Sequence, residues 1–228
     1  MPEKHDSTDG VIALYSWGTP NGNKIHIMLE ELGVPYRLLP VDLGRGAQHD
    51  PAFRAISPNG KIPAIVDPVG PGGRTASLAE SGAILIYLAE KYSRFIPADA
   101  LERLATLQWI MFQMGHVGPM IGQLHHFQSV APAGNEYGIE RYRSEGGRLL
   151  TVMDARLSQS PYLASAHYTI ADMCTWPWIR SWVHTTNQEI GNRPALQRWY
   201  DEIGERPAVK AAVRIQNELR ELGKSART

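Results

Sequence analysis

Hydrophobic and polar positions follow two different patterns along this chain. Residues 11–92 alternate between short apolar runs of strand type and segments with apolar residues at helical spacing. The predicted strands are 11–16, 36–43, 61–67 and 75–79, and the predicted helices are 23–33, 49–57 and 81–92. The order β-α-β-α-β-β-α is sufficient for a small α/β domain.

The rest of the chain contains only helical patterns of comparable strength. These patterns cover residues 101–118, 138–159, 169–185 and 194–222. The segment 93–100 is the natural linker between the two parts. The predicted fold is therefore an α/β domain at 11–92 followed by an all-α domain at 101–222.

Composition and charge argue against several classes of function. The 228 residues are 43% hydrophobic, and 23 Lys and Arg balance 23 Asp and Glu, so the formal net charge is zero. That balance gives no broad electrostatic surface for nucleic acid or an anionic membrane. The polar first ten residues do not form a signal peptide, and no apolar run approaches the roughly 18 residues of a membrane span. A cytoplasmic protein is the simplest expectation.

Cysteine and histidine give little sign of redox or metal chemistry in the chain itself. The single cysteine, Cys174, excludes an internal disulfide and a CxxC centre. Its position inside a predicted helix favours a small buried hydrophobe over a nucleophile. Helical spacing does not bring His116, His125 and His126 together, and no carboxylate accompanies them, so no metal is expected.

The segment "SWGTPNGNKI", residues 16–25, joins the first strand to the first helix. A Walker phosphate loop needs about four residues between its glycines, but only three separate Gly18 from Gly22, and no magnesium-binding hydroxyl follows the lysine. Thr19 instead suits an N-cap and Pro20 the first helical position. The N–H groups of such a helix start favour a small anion such as a thiolate, which would have to arrive with a ligand. A plain helix cap is the alternative.

Two further motifs suit a peptide with an α-amino-acid head group. In "KIPAIVD", Pro63 is placed for a cis-proline that turns the Ile62 backbone towards an extended peptide, with an edge-strand proline as the alternative. In "LAESGAIL", Glu80 could hold an ammonium group while Ser81 and the helix N-terminus hold a carboxylate. Ser81 as a plain N-cap is the alternative there.

Several of these segments together resemble one protein family. The segments are "TPNG", "ISPNGKIPAIVD", "LAESGAILIYLAEKY", "LQW", "GPMIGQLHHF" and "TIADMCTWPW". Over nearly its whole length the chain resembles the cytosolic glutathione transferases, and it is most similar to the bacterial nu class, the glutathione-dependent disulfide-bond oxidoreductases. The resemblance implies a thioredoxin-like N-terminal domain, a C-terminal helical bundle, a homodimer, and glutathione as co-substrate.

The resemblance also assigns site residues by position. It implies that Thr19 and Asn21 face the glutathione sulfur. The other tripeptide contacts are expected from Gln48, Lys61, the Ile62 backbone, Pro63, Glu80 and Ser81. In the second domain, Gln108 and Arg141 are similar to residues that reach glutathione carboxylates, of the same subunit or of the partner subunit, with Arg143 as an alternative to Arg141. A solvated glutamine and an i, i+4 ion pair with a glutamate are the plainer alternatives.

The implied activity is reduction of small or mixed disulfides, with peroxidase activity towards organic hydroperoxides in addition. The alternatives are a transferase that conjugates electrophiles and a non-enzymatic dimer of the same fold. Thr19 cannot act as a base, but its hydroxyl and the Asn21 amide can donate to a thiolate. Tyr15 is a rival activator, although strand alternation favours its burial. The capping box from Thr169 to Asp172 is expected to serve folding rather than chemistry.

Overall fold

A computed structural model of the chain describes residues 10–225, with the side chains of residues 10–224, and it contains the predicted α/β and all-α parts. The strands are β1 (Ile12–Ser16), β2 (Tyr36–Pro40), β3 (Ala64–Asp67) and β4 (Ala76–Ala79). The helices are α1 (Pro20–Leu32), α2 (Pro51–Ile56), α3 (Ser81–Tyr92), α4 (Ala100–Phe112), α5 (Gly118–Ser129), α6 (Glu136–Leu157), α7 (Ile170–His184), α8 (Pro194–Gly204) and α9 (Pro207–Ser225). Between residues 10 and 225, no helix combines the length and apolar character needed to cross a membrane.

The strands form one mixed sheet in the order β2-β1-β3-β4. β1 pairs in parallel with β2, with Leu14 opposite Leu38, and antiparallel with β3, with Leu14 opposite Ile65. The parallel pair requires a crossover, which α1 provides. Pro40 lies on the edge strand β2, as predicted, where its missing N–H breaks no ladder hydrogen bond in the sheet interior.

The interior of the first compact unit is built from β1, β3, α1 and α3. Its fully buried apolar side chains include Leu14, Ile25, Ile27, Met28, Leu29, Ile65, Ile84, Leu85 and Leu88, with Val209 and Ala212 of α9. α1 is buried over every residue from Gly22 to Leu29, which a helix achieves only when it is covered on more than one side. The C-terminal helix α9 packs along α1 and contributes to this cover.

The chain divides into two compact units, and the C-terminal helix α9 belongs to the first of them. The first unit contains the residues up to Leu88 and those from Pro207 onwards, and the second runs from Ala89 to Arg206. The helical pattern predicted at 194–222 covers two helices of the structure, α8 and α9. Pro207 is the first residue of α9, where its missing N–H breaks no helical hydrogen bond.

The second unit is helical, with α4 to α8 around apolar side chains that include Ile110, Leu149 and Ile179. A π-helical turn, Gln113–Val117, continues α4 into α5. The sequence pattern did not predict α5, because the glycines and proline of "GPMIG" weaken the helical signal. The predicted capping box is confirmed: Thr169 caps α7 and the buried Asp172 carboxylate accepts from the Thr169 N–H at 3.0 Å.

Candidate functional site

The junction between β1 and α1 has the capping geometry that the sequence predicts. Thr19 has an extended backbone (φ −115°, ψ 162°) and is the N-cap of α1, and Pro20 follows as the first helical residue. The Thr19 Oγ1 atom accepts a hydrogen bond from the Gly22 N–H at 3.2 Å. Because the hydroxyl oxygen serves as the acceptor, its proton can be donated to a group that binds at the N-terminal end of the helix.

Gly22 lets the first turn of α1 lie directly on the end of β1. A Cβ atom at Gly22 would lie 2.4 Å from Ser16 Oγ and 2.5 Å from the Trp17 carbonyl oxygen. Both distances are too short for any side chain, so this glycine is a packing requirement. Thr19 and Asn21 beside it are half-buried.

Tyr15 belongs to the hydrophobic core of the first unit. It is 7% exposed and lies in a cluster with Ala13, Phe53 and Ile62, and its ring centroid is 6.0 Å from that of Phe53. Burial raises the pKa of the Tyr15 phenol, and the positive charge of Arg37 opposes this only in part. The burial predicted from strand alternation is confirmed, and a group held protonated in this way is a poor base for a thiol.

The segment before β3 contains the predicted cis-proline. The Ile62–Pro63 peptide bond is cis, as predicted. Ser57 Oγ donates to the Lys61 carbonyl at 2.7 Å and accepts from the Lys61 N–H at 3.3 Å. These bonds fix the turn that leads into Ile62. Ile62 and Pro63 are buried, whereas the Lys61 side chain is exposed.

Gln48 lies next to this turn. A Cβ atom at Gly60, which has φ +63°, would lie 3.1 Å from the Gln48 carbonyl oxygen, so the two segments are in close contact. The Gln48 Oε1 atom is buried and accepts no hydrogen bond from the described residues. A buried acceptor of this kind is suited to an N–H donor of a bound peptide.

The start of α3 holds the other predicted pair. α3 begins at Ser81. The N-cap position is therefore occupied by Glu80, and Ser81 is not the N-cap that the sequence offered as an alternative. Glu80 has φ +69°, its side chain is exposed, and its carbonyl oxygen accepts from the Ile84 N–H at 3.0 Å. Ser81 is buried.

Lys24 is a residue of this corner that sequence reasoning missed. The side chain is 1% exposed, and its Nζ atom donates to Ser81 Oγ at 3.2 Å. Lysine is rarely buried this completely unless its amine is hydrogen-bonded. The helical pattern places Lys24 among apolar neighbours on α1, and that position was the only available signal.

The second unit holds Gln108 and Arg141, and the two residues lie on different helices. Gln108 is exposed on α4 and Arg141 is exposed on α6. Arg143, the alternative to Arg141, pairs with Glu140 at 2.8 Å. Among the described residues Arg141 forms no ion pair.

Cys174 lies in the interior of the second unit. It is fully buried, and its Sγ donates to Gln113 Oε1 at 2.9 Å. The predicted role as a small buried residue is confirmed. Nowhere in residues 10–225 do three or more His, Cys, Asp or Glu side chains come together as a metal site would require.

Comparison with protein families identifies both parts of the chain. The N-terminal domain family of the glutathione S-transferases matches residues 14–95, and the C-terminal domain family matches residues 136–202. The chain is 48% identical to Disulfide-bond oxidoreductase YfcG of Escherichia coli, over 89% of this chain and 94% of the relative. It is 41% identical to Disulfide-bond oxidoreductase YghU of the same organism, over 87% of this chain and 73% of the relative.

Solved structures give the same result. A glutathione transferase from Burkholderia graminis, with two glutathione molecules bound per subunit, has a TM-score of 0.87 and 43% identity, covering 90% of this chain and 88% of its own. A glutathione transferase from Pseudomonas putida, with one glutathione disulfide bound per subunit, has a TM-score of 0.88 and 42% identity, covering 94% of both chains.

Proposed function

Since the chain belongs to the glutathione S-transferase family, we propose that it is a glutathione-dependent disulfide-bond oxidoreductase. The observation that carries the proposal is the Thr19 corner: a capped helix start with two half-buried donors, Thr19 and Asn21, and no cysteine of its own. The only cysteine, Cys174, is fully buried in the other unit. Two relatives named disulfide-bond oxidoreductases, at 48% and 41% identity, support the choice of reaction.

The first unit has a group for each part of the tripeptide. The buried Gln48 Oε1 atom and the Ile62 backbone suit the peptide portion, with Lys61 at the exposed side. The exposed Glu80 carboxylate suits the ammonium of the γ-glutamyl end, and Ser81 with the α3 N-terminus suits its carboxylate. Because these groups suit an ammonium and a carboxylate, glutathione fits them better than an uncharged ligand would.

Thr19 and Asn21 act by stabilising a thiolate. A hydrogen bond to a charged group contributes roughly 1.5–3 kcal/mol, and one pKa unit corresponds to about 1.4 kcal/mol. One or two donors at this corner therefore lower the pKa of a thiol from about 8.5 to about 7. No side chain has to remove the proton, which is released to solvent.

Bound glutathione supplies the nucleophile: its thiolate displaces one thiolate from a disulfide, and a second glutathione then releases the other thiol and leaves as glutathione disulfide. The two electrons come from the two glutathione molecules, so the chain needs no redox centre. The Thr19 hydroxyl and the Asn21 amide orient the attacking sulfur. A cytoplasmic location is part of the proposal, since that compartment keeps thiols reduced.

We further propose a homodimer formed through α4. Leu101, Leu104 and Met111 are 77%, 63% and 59% exposed, and their spacing places them on one face of the helix. Large exposed apolar stripes of this kind are typical of interfaces. Gln108 lies on the same face, and together with Arg141 it is proposed to reach glutathione carboxylates.

The test compares three substrate classes with glutathione as reductant. We expect the purified chain to turn over 2-hydroxyethyl disulfide faster than 1-chloro-2,4-dinitrobenzene, with cumene hydroperoxide as the measure of added peroxidase activity. Faster conjugation of the aromatic halide would favour a transferase, and failure to bind glutathione–agarose would favour a non-enzymatic dimer. Cys174→Ala is the matched control: it should retain disulfide turnover, and loss of turnover would place the redox centre in the second unit.

A further inference from the structure

One face of the C-terminal helix α9 packs against the turn that carries Thr19. Arg220 Nε donates to the Gly18 carbonyl oxygen at 2.7 Å. Asn23 Nδ2 donates to Gln216 Oε1 at 3.2 Å. Both contacts lie within the first compact unit.

The approach is close enough to require glycine on both sides. A Cβ atom at Gly18 would lie 2.6 Å from Arg220 Cγ and 2.8 Å from the Gln216 carbonyl oxygen. A Cβ atom at Gly223 would lie 2.9 Å from Cζ2 of the Trp17 ring. Positions 216, 220 and 223 have i, i+4 and i+7 spacing and therefore share one face of α9.

The residues that contact α9 lie on both sides of Thr19 in the sequence. Trp17 and Gly18 immediately precede Thr19, and Asn23 follows Gly22 in the first turn of α1. Asn23 is fully buried and Gln216 is 2% exposed, so their hydrogen bond is shielded from water. The Arg220 bond is charge-assisted, a stronger class than a neutral hydrogen bond, and it acts on the peptide group joined directly to Thr19.

We propose that α9 is part of the catalytic apparatus, in which Arg220 and Gln216 are positioning residues that hold the turn bearing Thr19 and Asn21, and the Arg220 charge favours the anionic form of a thiol bound there. The inference rests on the proposed function. It assigns to the last helix of the chain a role in the chemistry of the first domain. The physical basis is that donors stabilise a thiolate only when their geometry is fixed before it arrives.

The experiment compares Arg220→Met, Arg220→Lys and Gln216→Leu with Arg214→Met, a control at an exposed arginine of the same helix. The measurements are the pH profile of kcat/KM for 2-hydroxyethyl disulfide, amide hydrogen exchange of residues 18–23, and the unfolding midpoint. We expect Arg220→Met to lower kcat/KM by about tenfold near neutral pH and to move the acidic limb of the profile to higher pH. Exchange of the turn should become faster.

Arg220→Lys keeps the charge and should restore the pH profile more fully than the turnover rate. Gln216→Leu should quicken exchange and lower the rate without moving the profile, because no charge is removed. If folded Arg220→Met and Arg214→Met give the same rates and profiles, the inference is wrong, even if exchange differs. A wild-type chain without glutathione-dependent disulfide turnover would instead overturn the proposed function, and this inference with it.

Discussion

At the scale of single residues, the proposed chemistry depends on which atom of Thr19 is already engaged. The oxygen accepts from the Gly22 N–H, which fixes the side chain and leaves its proton for donation. The same residue therefore caps the helix and prepares the donor. A side chain that acts as a general base would be required only if the pKa of the thiol were far above physiological pH.

Replacing Thr19 by alanine should raise the pKa of the bound glutathione thiol. Loss of one hydrogen bond to a charged group should raise the thiol pKa by about one unit, from about 7 to about 8, which lowers the thiolate fraction and kcat/KM about fivefold at neutral pH. The lost cap should also lower the free energy of unfolding by about 1 kcal/mol. The pH dependence of disulfide turnover checks this, with Thr19→Ser as the control that retains the hydroxyl. An unchanged profile in the alanine variant would contradict the assigned role.

Gly22 should tolerate no side chain. Gly22→Ala places a Cβ atom 2.4 Å from Ser16 Oγ, so β1 or the helix start must move. We expect the free energy of unfolding to fall by about 1–3 kcal/mol, measured by urea denaturation. Gly115→Ala is the control, since no packing neighbour among residues 10–225 lies within 4 Å of a Cβ atom there. Equal destabilisation of the two variants would count against the close packing.

At the scale of elements, α1 is a helix enclosed by its surroundings. α9 packs along it, and polar residues such as His26 are buried in it. Within residues 10–225 neither ring nitrogen of His26 has a hydrogen-bond partner. Burial lowers the pKa of His26 from 6.5 to about 4, because a charged imidazole there would lose its hydration.

The buried histidine should make stability depend on pH. Between pH 6.5 and about 4 the unfolded chain binds a proton at His26 that the folded chain does not, so stability falls as the pH falls through that window. The loss is up to about 3 kcal/mol. Urea denaturation at several pH values measures it, and His26→Leu should flatten the dependence. His126→Leu, at an exposed histidine, should leave it as it is. A slope unaffected by His26→Leu would show that other groups cause it.

At the scale of the whole molecule, α4 has a row of exposed apolar side chains, Leu101, Leu104 and Met111. A second copy of the chain is the proposed occupant, and the zero formal net charge of the chain puts no strong repulsion between copies. The two stripes would cover each other in a symmetric interface.

Leu104→Glu should shift the chain towards monomers. The symmetric interface would then bury two carboxylates without partners, at about 3 kcal/mol each, which raises the dimer dissociation constant by roughly four orders of magnitude. Sedimentation velocity over a range of concentrations measures the shift. Leu222→Glu changes another exposed leucine, on α9, and should have no effect. A monomeric wild-type chain would contradict the dimer proposal.

The sequence by itself determined the features whose causes are local. The strand runs, the Thr19-Pro20 cap, the Gly33 end of α1 and the capping box at Thr169 each follow from a few neighbouring residues. The cis-proline was also predicted, since it lies in a short contiguous motif. The site residues assigned by resemblance in the first unit stay a prediction.

Only the tertiary structure decided the features that depend on residues far apart in sequence. The burial of Lys24 against Ser81 and the contact of Arg220 with Gly18 bring together positions separated by 57 and 202 residues. The hydrophobic periodicity of the sequence does not predict such partners, because a helical pattern shows which face of a helix is apolar but not what covers that face. The assignment of α9 to the first unit is of the same kind, since a local signal marks where that helix begins and only packing decides which core it joins.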